Sequence, residues 1–301
     1  MSFWGKGGAG KTTLSAAVAV ALAESGSRVL VFSSDPTPTL GDVLGVELGG
    51  EPRRVWRNLY AAEVSEEDVL RMWRERFGRE VYEVLSSFLP VDETIIDYIA
   101  GAPGIADEFL MYYVYVLLGS GVYDYIVWDT PAAGGSIRLL RLEREFYRHL
   151  GEAASLVLRL KTVLDRLRGR RPGRSPLELI EEWRRLAEDI LSMLSSTSHL
   201  LHIVAQPDEL SLSVTERIVR EFGEIGARPR RVIVNMVPDA SMCPDCRPLV
   251  AEAERCGRIV DEFRRRYGGI VYTVPFLVER PRGVERLRRL GSMLLGGVVA
   301  V

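Results

Sequence analysis

Gly5 to Thr13 reads GKGGAGKTT, set between MSFW and the apolar run LSAAVAVALAESG. Its first eight residues match G-x-x-x-x-G-K-[ST], the pattern of a glycine-rich loop that leaves a buried strand, cradles phosphate and opens a helix. The residue types follow from that task. Gly5, Gly7, Gly8 and Gly10, with Ala9 among them, let backbone N–H groups converge on phosphate oxygens, and the helix behind them adds the positive end of its dipole. Lys11 reaches the β- and γ-phosphates as a slim point charge, where the broad fork of a guanidinium would not fit. Thr12 offers its hydroxyl to Mg²⁺, and Thr13 is placed for the α-phosphate. Lysine occurs only at Lys6, Lys11 and Lys161 among 39 basic residues, so two of three stand in this loop.

Working outward, the spacing predicts a helix from about Lys11 to Ser25 with Gly26 as its C-terminal stop. RVLVFSSD follows, apolar without alternation, as a strand covered on both faces reads. YDYIVWD (Tyr123–Asp129), SHLLHIVA, RRVIVNMV and GIVYTVPF share that character. Strands alternating with helices predict an α/β fold, a doubly wound, mostly parallel sheet of the phosphate-loop NTPase kind. Residues 65–119 and 139–198 break the alternation with helical spacing and read as inserted helical subdomains in one domain spanning 1–301. FLMYYVYVLLGSGV, from Phe109 to Val122, is too short to cross a bilayer and reads as a core helix.

Composition bounds the function. The net charge of −2 gives no global attraction for nucleic acid or anionic lipid. With the glycine loop at residue 5 and no long apolar run, neither a leader nor a membrane span is expected, and the expected location is the cytoplasm. Cys243, Cys246 and Cys256 cluster together and form no secreted disulfide framework.

Two aspartates end buried strands, where ligands bind in open α/β sheets. Asp35 can orient a water for in-line attack or hold a magnesium-bound water, and Asp129 reads as the acid that helps hold Mg²⁺ through water. Asn235 offers donor and acceptor to a base edge in a chain with one other asparagine, and capping after a strand is the competing role. Cys243 and Cys246 have Cys-x-x-Cys spacing, which suits one tetrahedral metal; a redox dithiol, a site with Cys256 as third ligand, and plain structural thiols are the rival readings.

The loop form KGGxGKT is similar to that of the dimeric ATPases that include the septum-site Min proteins, the nitrogenase iron protein, and the arsenite-pump and tail-anchored-protein-targeting ATPases. SDPTPTLGDVLG resembles the first switch, and YDYIVWDTPAAGGSIRLL the second, of the last two groups. NLYAAEVSEEDVL, PGIADEF, SLSVTERIVREF, VIVNMV, MCPDCRP and VPFLVERPRGVERL follow in family order. The resemblance implies an ATP- and Mg²⁺-dependent homodimer in which Lys6 crosses to the partner's phosphates. It implies Asp35 as the water-activating acid, Asp42 as the first-switch acid, and Asn235, Pro275 and Phe276 as the adenine-side loop.

It further implies an interchain Zn²⁺ held by Cys243 and Cys246 of both copies. Hydrophobic C-terminal transmembrane segments would be clients of the helical subdomains, with a membrane receptor as a further partner. Candidates for the client groove are Phe88, Leu89, Ile95, Ile96, Phe109, Leu110, Met111 and the helices around Leu156 and Leu191. Two positions depart from the family: Pro38 and Gly135 stand where its switch histidines would. Without thiolates near the switches, metalloid sensing is disfavoured.

Overall fold

The computed structural model describes residues 1–37, 39–131 and 176–294, with the side chains of Phe88 and Leu177 left aside. The expectations that concern Pro38, Gly135 and the helix around Leu156 lie outside these residues.

Strands β1 (Ser2–Gly5), β2 (Val29–Ser33), β3 (Arg53–Trp56), β4 (Leu59–Glu63), β5 (Tyr125–Asp129), β6 (Leu201–Ala205), β7 (Pro229–Val237) and β8 (Val271–Pro275) form one sheet. Their order is β3-β4-β2-β5-β1-β6-β7-β8, parallel except for the β3–β4 pair. This is the doubly wound α/β sheet that the apolar runs predict. The β3–β4 hairpin at the edge is not among those runs. β3 carries exposed Arg53 and Arg54, so it lacks the continuous apolar signature that marks a strand covered on both faces.

Alternation along β1 shows how the two faces are filled. Phe3 belongs to a buried cluster with Leu14, Val18 and Leu22 of helix α1 (Lys11–Glu24) and with Leu287, Leu290 and Leu294 of a C-terminal helix, Val284–Leu294. Trp4, on the other face, meets Trp128 at 5.6 Å and Phe222 at 5.2 Å, the latter on the helix Glu209–Glu224. The β1-to-β2 connection runs one way along the sheet and the β6-to-β7 connection the other. Right-handed crossovers therefore put their helices on opposite faces. α1 is apolar on nearly every side because it is buried on nearly every side.

Among the described residues the chain divides into two compact units. The first lies within Met1–Ser65, Val116–Gly134 and Ser195–Val301, and the second within Glu66–Tyr115 and Gly135–Leu194. The first carries the sheet. In the second, Glu66–Trp73 runs through a π-helical turn, Arg74–Gly78, into Arg79–Phe88. Phe77, Phe109 and Tyr112 pack ring on ring, and Trp183 donates through Nε1 to Glu80 at 2.8 Å.

The helix Ile105–Gly119 corrects one expectation. Phe109, Leu110 and Met111 are buried, but Val116 and Leu118 are 45% exposed, so only its first half is core. The buried trio is also unavailable as groove lining in this arrangement, whereas Leu89 is exposed. No helix among the described residues is long and apolar enough to cross a membrane.

Candidate functional site

The glycine loop leaves β1 at its carboxyl end, in the crevice where the two halves of the sheet wind apart. At Gly5 a Cβ would stand 2.0 Å from the carbonyl oxygen of Val204, and at Gly10, with φ +95°, 2.3 Å from Nδ2 of Asn235. Both sites demand glycine, because neighbouring strands close on the loop from below. The first turn of α1 carries no acidic residue, which leaves its positive end available to an anion.

Beneath the loop lies a buried set of polar groups. Lys11 is 6% exposed, with Nζ 3.4 Å from the Gly5 carbonyl oxygen. Burial lowers its pKa, opposed by the charges of Asp129 and Asp35. Asp129 is fully buried, and its Oδ2 accepts from Thr12 Oγ1 at 2.7 Å and from Ser33 Oγ at 2.8 Å. Burial raises its pKa to about 6, against the two hydrogen bonds and the Lys11 charge that favour the ionised form. Oδ1 of the same carboxylate has no hydrogen-bond partner among the described residues.

An orphaned buried carboxylate oxygen beside the Thr12 hydroxyl fits a hard divalent cation or its water. Thr12 keeps lone pairs for a metal while its proton goes to Asp129, so Thr12 and Asp129 are the residues that would hold Mg²⁺.

Above this floor the groups are less enclosed. Asp35 is half-buried at the end of β2; its Oδ1 accepts from the Thr37 N–H at 3.0 Å, and its own N–H points to Ser33 Oγ at 3.4 Å. Ser33 thus links both strand-end acids. Asp42 lies on the short helix Leu40–Leu44, whose Gly41 N–H donates to Glu63 Oε1 at 2.9 Å. Lys6 pairs with Asp208 at 3.8 Å.

On the other side of the loop, a bulge in β7 places Met236 at φ +60°. Asn235 beside it turns toward the loop and donates through Nδ2 to the Ala9 carbonyl at 2.8 Å. One amide hydrogen is therefore spent on the loop, leaving the carbonyl oxygen and the second hydrogen for a base. Pro275 ends the adjacent strand, the Phe276 N–H donates to the Val237 carbonyl at 2.8 Å, and the Phe276 ring is half exposed. The three residues assigned by resemblance to the adenine side share neighbouring strand ends.

The cysteine pair sits apart in sequence and in character. Cys243 is exposed and Cys246 half-buried, with the Cys246 N–H on the Cys243 carbonyl at 3.0 Å. Cys256 is buried, and its thiol contacts Glu252 at 3.5 Å, with its pKa pushed up chiefly by burial. No group of three metal-ligating side chains gathers among the described residues, so Cys256 is not brought to the pair as a third ligand.

Sequence reasoning missed Ser33, Glu63, Asp208 and Arg282. Ser33 could have been found as a hydroxyl inside an otherwise apolar strand. Asp208 could have been found as an N-cap, since its carboxylate accepts from the Ser211 N–H three residues on.

Comparison with known proteins gives the family of the chain. The chain is 29% identical over 299 residues to a "Putative arsenical pump-driving ATPase 2" of Aquifex aeolicus, covering 97% of each chain. It is 28% identical to an "ATPase get3" of Aspergillus terreus, covering 97% of this chain and 88% of that one. A "Putative arsenical pump-driving ATPase" of Chlorobaculum tepidum is 28% identical over 80% of this chain and 61% of its own length. The family model for the anion-transporting ATPase matches residues 1–296, and the chain belongs to that family.

Proposed function

We propose that the chain is a Mg²⁺-dependent ATP hydrolase of one ATPase domain with helical insertions, acting as a homodimer. Its nucleotide-driven opening and closing would capture and release hydrophobic transmembrane tails. The observation that carries the hydrolase reading is the Asp129 carboxylate, buried under the loop, bonded to Thr12 and with one oxygen unpartnered among the described residues. Bound Mg²⁺ supplies charge neutralisation at the β- and γ-phosphates. The chain's own groups do the rest. Lys11 and the loop N–H groups orient the phosphates, Asp35 positions the attacking water, Lys6 lends its ammonium to the partner's terminal phosphate, and Asn235, Pro275 and Phe276 hold the base. Cys243 and Cys246 offer two thiolates of a four-ligand set that a second copy would complete around Zn²⁺.

The targeting role draws its support from the "ATPase get3" relatives, which align over 97% of the chain. The pump-driving relatives favour a second reading, as the motor of a metalloid pump. Against it, the thiols lie only at positions 243, 246 and 256.

The test is purification with ATP from the native cell, together with steady-state ATPase assays against Lys11→Ala. The expected result is Mg²⁺-dependent hydrolysis that falls by about 10² to 10³ in the variant, with bound polypeptides carrying a C-terminal apolar helix. Soluble partners only would overturn the targeting role and leave the hydrolase. Arsenite stimulation would favour the pump. Nucleotide binding without turnover would overturn the hydrolase in favour of a nucleotide-gated scaffold.

A further inference from the structure

Lys6 is the one basic side chain of the loop that the floor does not use. Its partner in this structure is an acid that no motif singled out. Nζ lies 3.8 Å from Asp208 Oδ2, with the two side chains 31% and 27% exposed.

Asp208 is not a loose surface acid that happens to be near. It follows β6, the neighbour of β1, so its backbone stands beside the glycine loop at the same end of the sheet. It is also the N-cap of the helix Glu209–Glu224. Oδ1 accepts from the Ser211 N–H at 2.7 Å, and Oδ2 accepts from the Ser211 hydroxyl at 3.0 Å. The cap fixes the carboxylate, and Oδ2, which accepts from the Ser211 hydroxyl, is also the oxygen that meets Lys6.

We infer that Asp208 is a positioning residue which holds Lys6 within its own subunit until a second copy closes across the nucleotide. The inference rests on the proposed role of Lys6 toward a partner's phosphate. An ammonium cannot serve two anions at full strength, so the ion pair inside one subunit competes with the contact between subunits. Affinity for closure is lowered by the fraction of Lys6 that is parked. The competition is mild: a partly exposed pair at 3.8 Å is weak enough for a phosphate to displace.

Asp208→Asn isolates this role, because asparagine caps a helix as well as aspartate does. Its Oδ1 keeps the Ser211 N–H, and its Nδ2 can donate to the Ser211 hydroxyl, while the charge facing Lys6 is gone. The experiment measures dimer formation of the full chain with Mg²⁺ and a non-hydrolysable ATP analogue, by sedimentation equilibrium. Wild type, Asp208→Asn, Lys6→Ala and the double variant are compared.

Removing the parked pair should strengthen closure by about 1.5-fold to fivefold per lysine. With two lysines per dimer the dissociation constant should fall by about twofold to 25-fold. In the Lys6→Ala background the Asp208 substitution should then have no effect, which a merely structural role could not produce.

An unchanged or weakened dimer in Asp208→Asn, or an effect that persists without Lys6, overturns the inference alone. If Lys6→Ala itself forms the dimer as wild type does, the underlying role of Lys6 fails instead. Thermal unfolding of Asp208→Asn within about 2 °C of wild type verifies that the cap is intact.

Discussion

The floor and the rim of the nucleotide crevice use the same residue types and hold them in opposite ways. On the floor, Lys11, Thr12, Ser33 and Asp129 sit under the loop and are bonded to one another or to backbone. At the rim, Lys6, Asp35 and Asp42 are partly exposed and held by single turns or ion pairs that a ligand could replace. Asp35 and Asp129 both end apolar strands, yet only Asp129 has lost its water. Burial therefore separates a preorganised floor, whose electrostatics are costly and fixed, from exposed groups whose contacts a ligand can replace.

The largest effect should come from the rim. Asp35→Asn removes a base while keeping the Thr37 N–H acceptor, so ATP affinity should stay within about threefold. Single-turnover hydrolysis should drop by about 10² to 10⁴, the range for a lost general base. A parallel loss of affinity would mean that Asp35 belongs with the floor, and the comparison would break.

The floor is sharpened by pH. Asp129 has its folded pKa raised from 3.8 to about 6, which means that the folded state binds the proton more tightly. Its contribution to stability is then fully present below pH 3.8 and lost as pH rises through about 6. Without nucleotide or metal, this carboxyl should make the chain about 2 to 3 kcal/mol less stable at pH 7.5 than at its protonated limit. Asp129→Asn should flatten that dependence between pH 4.5 and pH 7.5. Denaturant unfolding at several pH values measures the slope. Equal slopes in wild type and variant would show that the carboxylate is not desolvated.

Legibility followed the same division. GKGGAGKT could be read at once, because its glycines and lysine leave little room for another use of the pattern. β1, β2, β5, β6, β7 and β8 were legible because a sheet covered on both faces leaves continuous apolar runs. β3 was not: an edge strand with Arg53 and Arg54 outward has no such signature. The described part of the second unit was legible as helical from periodicity, but which half of Ile105–Gly119 is core depends on packing that residue spacing does not encode. Ser33, Asp208 and Glu63 were missed for a common reason. Each acts through a hydrogen bond or ion pair to an element distant in sequence; a hydroxyl or a cap can flag Ser33 and Asp208 locally, but the partner of each is visible only when strand order is known.

The smallest effect should come from the outermost rim contact. Arg282, in the segment between β8 and the C-terminal helix, donates through Nε to the Asp42 carbonyl at 2.9 Å and pairs through Nη2 with the Asp42 carboxylate at 3.1 Å. This links the proposed base-side segment to the helix Leu40–Leu44. Both side chains are about 70% exposed, at 69% and 74%, so water and salt screen the pair to roughly 0 to 1 kcal/mol. The backbone holds the same junction independently, since the Gly283 N–H donates to the Val43 carbonyl at 2.8 Å. Arg282→Ala should thus lower the melting temperature by no more than about 3 °C, and the difference should shrink at high salt. A drop beyond about 5 °C that resists salt would show a rim as firmly built as the floor, and the contrast between the two would lose its physical basis.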